Sequence, residues 1–285
     1  MAEIPNICLS LPNRAENVLV VRQALTGAAE SIGLDAVETN DLNTAVTEAC
    51  NNVVLHAYGG EEGPLVVDVY ALADALAVVV GDRGVGIGPW REVEDGDELR
   101  TGLGLPVIHA VARKVEIVER EEGGTRVRMD FPAPRTGVLE PLGDQSSPFV
   151  EKAERASDVE LRLAPSRLAR AVLPRVLSAL AARAHFSTDR ISDIQIFADA
   201  LAAKSPQSIS GSHLDVGVEV APRDLWLRLG PLHAGRGRSL LEAVAEGQTP
   251  LIERLTDDHV CVPRDGAQET LELHLLERGR EGGGL

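Results

Sequence analysis

One stretch of this chain can be laid on another without gaps, and that constrains its fold more than any composition does. "VELRLAPSRLARAVLPRVLSALAARAHF" superimposes on the N-terminal stretch so that Leu9, Leu11, Leu25, Leu34, Asp41 and Leu42 face Leu161, Leu163, Leu177, Phe186, Asp193 and Ile194. The order of elements then repeats. In the first half a strand, "ICLSLP", precedes a helix with Val18, Val21, Leu25, Ala28 and Ile32 at helical spacing. A second helix carries Leu42, Ala45, Val46, Ala49 and Val53 on one stripe. "PLVVDVYALADALAVVVGD" reads as a strand hairpin, "LPVIHAVARK" as a third helix, and "VEIVEREEGGTRVRMDF" as a strand pair closing on a Gly-Gly turn.

In the second half "VGVEVAPRDLWLRLGP" answers the hairpin, "GRGRSLLEAV" the third helix and "VCVPRDGAQETLELHLLE" the closing strands. Identities are few, and two α+β domains could share such patterning by chance. The common order of elements favours a true repeat. Residues 133 to 157, rich in Pro, Gly, Ser and charge, read as a linker. The expected division is a domain at 1–134, a linker at 135–157, a second domain at 158–279 and a flexible tail at 280–285.

At 285 residues the chain has room for two ordinary domains, and 44% hydrophobic residues can fill both cores. Aromatics make up only 3%, so the packing must be aliphatic. A formal charge of -16 argues against nucleic acid or anionic membrane as a partner. Cys8, Cys50 and Cys261 have neither metal-ligand spacing nor a paired pattern, as expected in a reducing compartment. With no evident signal peptide and no apolar run near the roughly 20 residues of a membrane helix, a cytoplasmic location is expected.

Three motifs in the first half could carry chemistry. Glu48 and Asn52, i and i+4 in "TEACNNVVLHAY", share a helix face beside the apolar stripe. Polar residues at a stripe edge often only meet solvent, so this pair alone is weak. "GDRGVGIGP" follows a strand and sets Asp82 before Gly84, Gly86 and Gly88. Asp82 could accept a hydrogen bond from an exocyclic amine, or the segment could be a simple strand-terminating turn. "TGLGLPVIHAV" puts Gly102 and Gly104 at a helix entry, which suits a phosphate or is merely a glycine-bearing start.

Taken in order, the three motifs of this α+β half resemble the ATP-binding fold of the GHKL superfamily. "AVTEACNNVVLHAY" is most similar to the anti-sigma factor serine/threonine kinases of bacterial partner-switching systems. The resemblance implies two tandem α/β-sandwich modules of GHKL type, the second degenerate, with ATP and Mg²⁺ as cofactors of the first. Asn52 would ligate Mg²⁺ and Glu48 would position or deprotonate the attacking hydroxyl. Asp82 would read adenine over Gly84 and Gly86, Gly102 and Gly104 would face the phosphates, and Arg100 would lie near the γ-phosphate. Residues 87 to 101 would form a lid that becomes ordered with ligand.

The implied partners are a STAS-domain anti-anti-sigma protein, as phosphorylation substrate, and a sigma factor, sequestered when the kinase is free. The alternative is a non-catalytic, ATP-gated interaction regulator. Across the repeat, Ala200 falls opposite Glu48, Lys204 opposite Asn52 and Pro231 opposite Asp82, so the second module is expected not to bind ATP. It would either replace the second subunit of a homodimer, giving a monomeric pseudo-dimer, or serve as a docking surface.

Overall fold

A computed structural model describes residues 5–85, 104–119, 123–133, 158–164, 167–242, 251–264 and 266–277. The chain divides into two compact units, Met1–Asp144 and Gln145–Leu285. Their boundary falls within residues 135–157, which lie outside the described residues, as does the 280–285 tail.

The first unit is built from β1 (Ile7–Pro12), α1 (Asn17–Ile32), α2 (Ala36–Asn52), β2 (Pro64–Ala71), β3 (Ala75–Gly81), α3 (Gly104–Val111), β4 (Lys114–Glu119) and β5 (Thr125–Pro132). Its strands form an antiparallel sheet in the order β4-β5-β3-β2-β1. Alternation in β1 buries Ile7, Leu9 and Leu11, and every residue of β3 is buried. The stripes expected on α1 and α2 are buried throughout, from Val18 to Ile32 and from Leu42 to Val53.

Local chemistry sets the helix ends. Gly33 closes α1 in the left-handed region at φ 83, and its N–H returns to the Ala29 and Glu30 carbonyls. Asp35 opens α2 with a capping box: its carboxylate accepts the Val37 and Glu38 amides at 2.8 Å, and Glu38 accepts the Asp35 amide at 2.8 Å. Beyond Asn52 the helix widens into a π-helical turn, Val53–Ala57, which the residue pattern did not foretell. Cys50 lies wholly inside, where burial pushes its thiol up to about 12, so it serves as a small core residue.

The second unit has β6 (Val159–Leu163), α4 (Arg167–Arg183), α5 (Thr188–Lys204), β7 (Leu214–Ala221), β8 (Asp224–His233), α6 (Arg236–Glu242), α7 (Leu251–Leu255), β9 (Asp258–Arg264) and β10 (Gln268–Leu276). Its sheet runs β9-β10-β8-β7-β6, the same path through the chain as in the first unit. The registers also agree. Leu11 faces Leu65 as Leu163 faces Leu214, Val66 faces Gly81 as Asp215 faces Gly230, and Val80 faces Val127 as Leu229 faces Leu271. Ser187 caps α5 where Asp35 caps α2. The short α7 precedes β9 as α3 precedes β4 and packs on α5 as α3 packs on α2, so it, and not the α6 expected from "GRGRSLLEAV", is the counterpart of α3. Among the described residues of both units, no helix is long and apolar enough to cross a membrane.

A bidentate pair ties β6 to β7. Arg162 Nε and Nη2 donate to Asp215 Oδ1 and Oδ2 at 2.6 and 3.0 Å. Burial pushes the Asp215 carboxyl up, but hydrogen bonds from His213 and Arg162 outweigh it and hold the carboxyl below its ordinary value. Its stabilising effect is therefore complete above the unfolded-state pKa, about 3.9, and is lost as pH falls through the lower folded value. Asp215→Asn is expected to cost about 1–2 kcal/mol at neutral pH in urea unfolding. The gap from wild type should begin to close only below about pH 4.

Candidate functional site

Helix α2 reaches the site with its polar edge because its apolar stripe is committed to the core. Glu48 and Asn52, one turn apart on that edge, are half-buried. The first residue of α3 packs directly against them. A Cβ built on Gly104 would lie 3.1 Å from Glu48 Oε2 and 3.7 Å from both amide atoms of Asn52. Three of the residues singled out from the sequence thus share one place, and glycine at 104 keeps the two polar side chains uncovered.

The other part of the site is the loop after β3. Asp82 is 5% exposed, and its Oδ1 accepts the Gly84 amide at 2.8 Å and the Thr125 amide at 3.3 Å. Its own N–H donates to the Thr125 carbonyl at 3.0 Å. With Oδ1 held by two backbone donors, the carboxylate is fixed in orientation and its second oxygen can accept from a ligand. Gly84 cannot be any other residue in this conformation, since its Cβ would lie 1.9 Å from the Ala57 carbonyl oxygen. The Val85 N–H donates to that same oxygen at 3.0 Å. Both parts of the site therefore hang from α2 and its π-helical extension.

Gly86, Arg100 and Gly102, with the 87–101 lid, lie outside the described residues. Two contributors were missed in the motifs. Thr125 and Gly124 were read only as the end of a turn, yet the pairing of Gly81 with Arg126 brings this turn beside Asp82. Gly124 sits at φ 91, and a Cβ there would meet the Asp82 carbonyl oxygen at 2.3 Å. The signal available in the sequence was the Gly-Gly pair itself, which two different demands could have produced.

The corresponding place in the second unit is furnished differently. Counted from the caps Asp35 and Ser187, Ala200 stands where Glu48 does and Lys204 where Asn52 does. Pro231 follows Gly230 as Asp82 follows Gly81. In the segment after β8 the Gly237 amide donates to Glu269 Oε1 at 2.5 Å, and Glu269 is itself buried.

Comparison with known proteins finds a matching family and named relatives. The model of the histidine kinase-like ATPase domain matches residues 11–131. The serine-protein kinase RsbW of Bacillus pumilus is 33% identical over 122 residues, 38% of this chain and 75% of that protein. RsbW of Bacillus mycoides is 28% identical over 131 residues, 42% of this chain and 82% of that protein. Among solved structures, the NMR structure of the histidine kinase domain of the E. coli osmosensor EnvZ covers 52% of this chain and 99% of that one, at 21% identity and a TM-score of 0.26.

The contact between Gly84 and Ala57 gives a direct prediction. Gly84→Ala must push the loop off the helix and should lower stability by about 1–3 kcal/mol in thermal or denaturant unfolding. Val85→Ala, which keeps the amide donor and exposes less apolar surface, should leave stability within about 0.5 kcal/mol of wild type.

Proposed function

We infer a function from the family to which this chain belongs, that of the RsbW-type serine-protein kinases built on the histidine kinase-like ATPase domain. The protein binds Mg-ATP in its first unit and phosphorylates a serine or threonine of a STAS-domain anti-anti-sigma protein. When not so engaged it sequesters a sigma factor, acting in the cytoplasm. The observation that carries this reading is the meeting of Glu48, Asn52 and Gly104 at the C-terminal end of α2, with the loop of Asp82 held by the π-helical turn that follows it.

Each residue has a role its chemistry can fill. Asp82 accepts the exocyclic amine of adenine, and Gly84 lets the loop lie close beneath the base. Gly104 leaves room for phosphate oxygens next to Asn52. The Asn52 amide oxygen is a hard donor suited to Mg²⁺, and among the described residues no group of three or more acidic, His or Cys side chains competes to hold a metal. Bound there with the nucleotide, the ion would neutralise charge on the transferring phosphoryl group. Glu48, one helical turn away, orients the acceptor hydroxyl and takes its proton. Gly86, Arg100 and Gly102 complete the base and phosphate contacts.

The second unit keeps the fold without the chemistry. Alanine at 200 offers no base, and a protonated Lys204 is no ligand for Mg²⁺. Glu269 already occupies the Gly237 amide. In this reading the unit takes the structural place of a second kinase subunit, so the chain works as a monomeric pseudo-dimer. A light-scattering mass near that of one chain is expected, and a stable homodimer would count against this arrangement.

The decisive assay supplies γ-labelled ATP and Mg²⁺ with a panel of STAS proteins from the host. Label should pass to one of them. Glu48→Ala should slow transfer by about 10²–10⁴-fold while ATP still binds, and Asn52→Ala should abolish it. ATP bound at about one per chain with no label moved would remove the kinase from this proposal and leave an ATP-gated binder.

A further inference from the structure

Asp82 is not the last link in the support of the base loop. Tyr58 follows the π-helical turn directly. Its ring lies over Gly63, where a Cβ would come 2.2 Å from a ring carbon. Its hydroxyl works in both directions, donating to the Pro64 carbonyl at 2.6 Å and accepting the Arg83 amide at 2.8 Å. Pro64 opens β2 and pairs with Pro12 of β1, so the far end of this contact is anchored in the sheet.

Three consecutive backbone amides of the loop are therefore engaged in turn. Arg83 donates to the Tyr58 hydroxyl, Gly84 to Asp82 Oδ1 and Val85 to the Ala57 carbonyl. The middle bond orients the Asp82 carboxylate, and the outer two fix the segment that makes it. One of those two uses a backbone carbonyl and calls for no particular side chain at 57. The other rests on a single side-chain oxygen.

We propose that Tyr58 is a positioning residue for base selection: through Arg83 its hydroxyl holds the loop that orients the Asp82 carboxylate on the amine of adenine, without touching the nucleotide. This rests on the nucleotide-binding reading of the first unit. Phenylalanine keeps the ring over Gly63 but can neither accept from Arg83 nor donate to Pro64. The Asp82 carboxylate then loses its fixed aim, and the loss falls on ligands that use it.

The test titrates the full chain with ATP and with ITP in Mg²⁺ by calorimetry, for wild type, Tyr58→Phe and Gly63→Ala. ITP carries a carbonyl in place of the exocyclic amine, so the preference for ATP reports the Asp82 contact. In Tyr58→Phe the affinity for ATP should fall about three- to tenfold, with that for ITP changing little. Gly63→Ala displaces the ring while keeping the hydroxyl in the chain, and should give the same pattern. Should both folded variants keep the wild-type preference, or should both nucleotides weaken equally, the proposal is overturned, because a merely structural tyrosine predicts those results. A wild type that binds neither nucleotide overturns the nucleotide-site reading and this inference together, one that binds both alike overturns the adenine-reading role of Asp82 and this inference with it, and the wild-type titration alone identifies either case.

Discussion

The contact on which the first unit's site depends is the one between the Ala57 carbonyl and the backbone of residues 84 and 85. Ala57 ends the π-helical turn, so its carbonyl has no further helical donor and accepts the Val85 amide at 3.0 Å. Such turns cost regular helical bonding and are frequent at functional sites, because they free backbone groups for other partners. The approach is close enough to exclude any side chain at 84. In return, the carboxylate at the end of β3 and the polar edge of α2 are joined by backbone over a single turn. In the proposed function the site reads a base and places a metal, and it gains from having both held by one rigid element.

The two units show how far a fold can be shared while the side chains at one place differ. Sheet order is the same in both, and so is pairing register apart from a shift between Glu269 and Leu271, because register depends on which alternate residues are apolar, and Leu161, Leu163, Leu214, Leu227 and Leu229 keep that alternation. The site residues lie outside the pattern. Neither Glu48 nor Asp82 belongs to the apolar stripes that set helix packing and strand register, so those stripes recur in the second unit with Ala200 and Pro231 in their places. The buried Glu269 on the Gly237 amide has a further effect: a donor that a ligand could have satisfied is satisfied within the protein, as burial requires.

Much of this was readable from residue order. The helical stripes, the hairpins, the Gly-Gly turn and the third helix all follow from periodicities of 3.6 and 2.0 interrupted by glycine. The Glu48 and Asn52 pair was visible because two polar residues on one face of an apolar helix violate its pattern. Tyr58 and Thr125 were not visible, since each contributes through a partner distant in the chain: Tyr58 through Arg83, and Thr125 through the carboxylate of Asp82. An aromatic after a helix and a threonine after a turn are ordinary on sequence grounds. The π-helical turn and α7 were equally hidden, as neither has a residue signature of its own.

The sequence by itself determined the elements, their order, their repetition and the chemical types available for a site, because each of these is set by neighbours within a few residues or by a repeating period. Tertiary structure decided which of those residues meet. Gly104 faces Glu48 and Asn52 only once α3 is packed on α2, and Asp82 is oriented only once β5 pairs with β3. Hydrogen bonds and steric exclusion act over a few ångströms of space and take no account of distance along the chain. A site made by such contacts therefore comes into being only when the chain has folded.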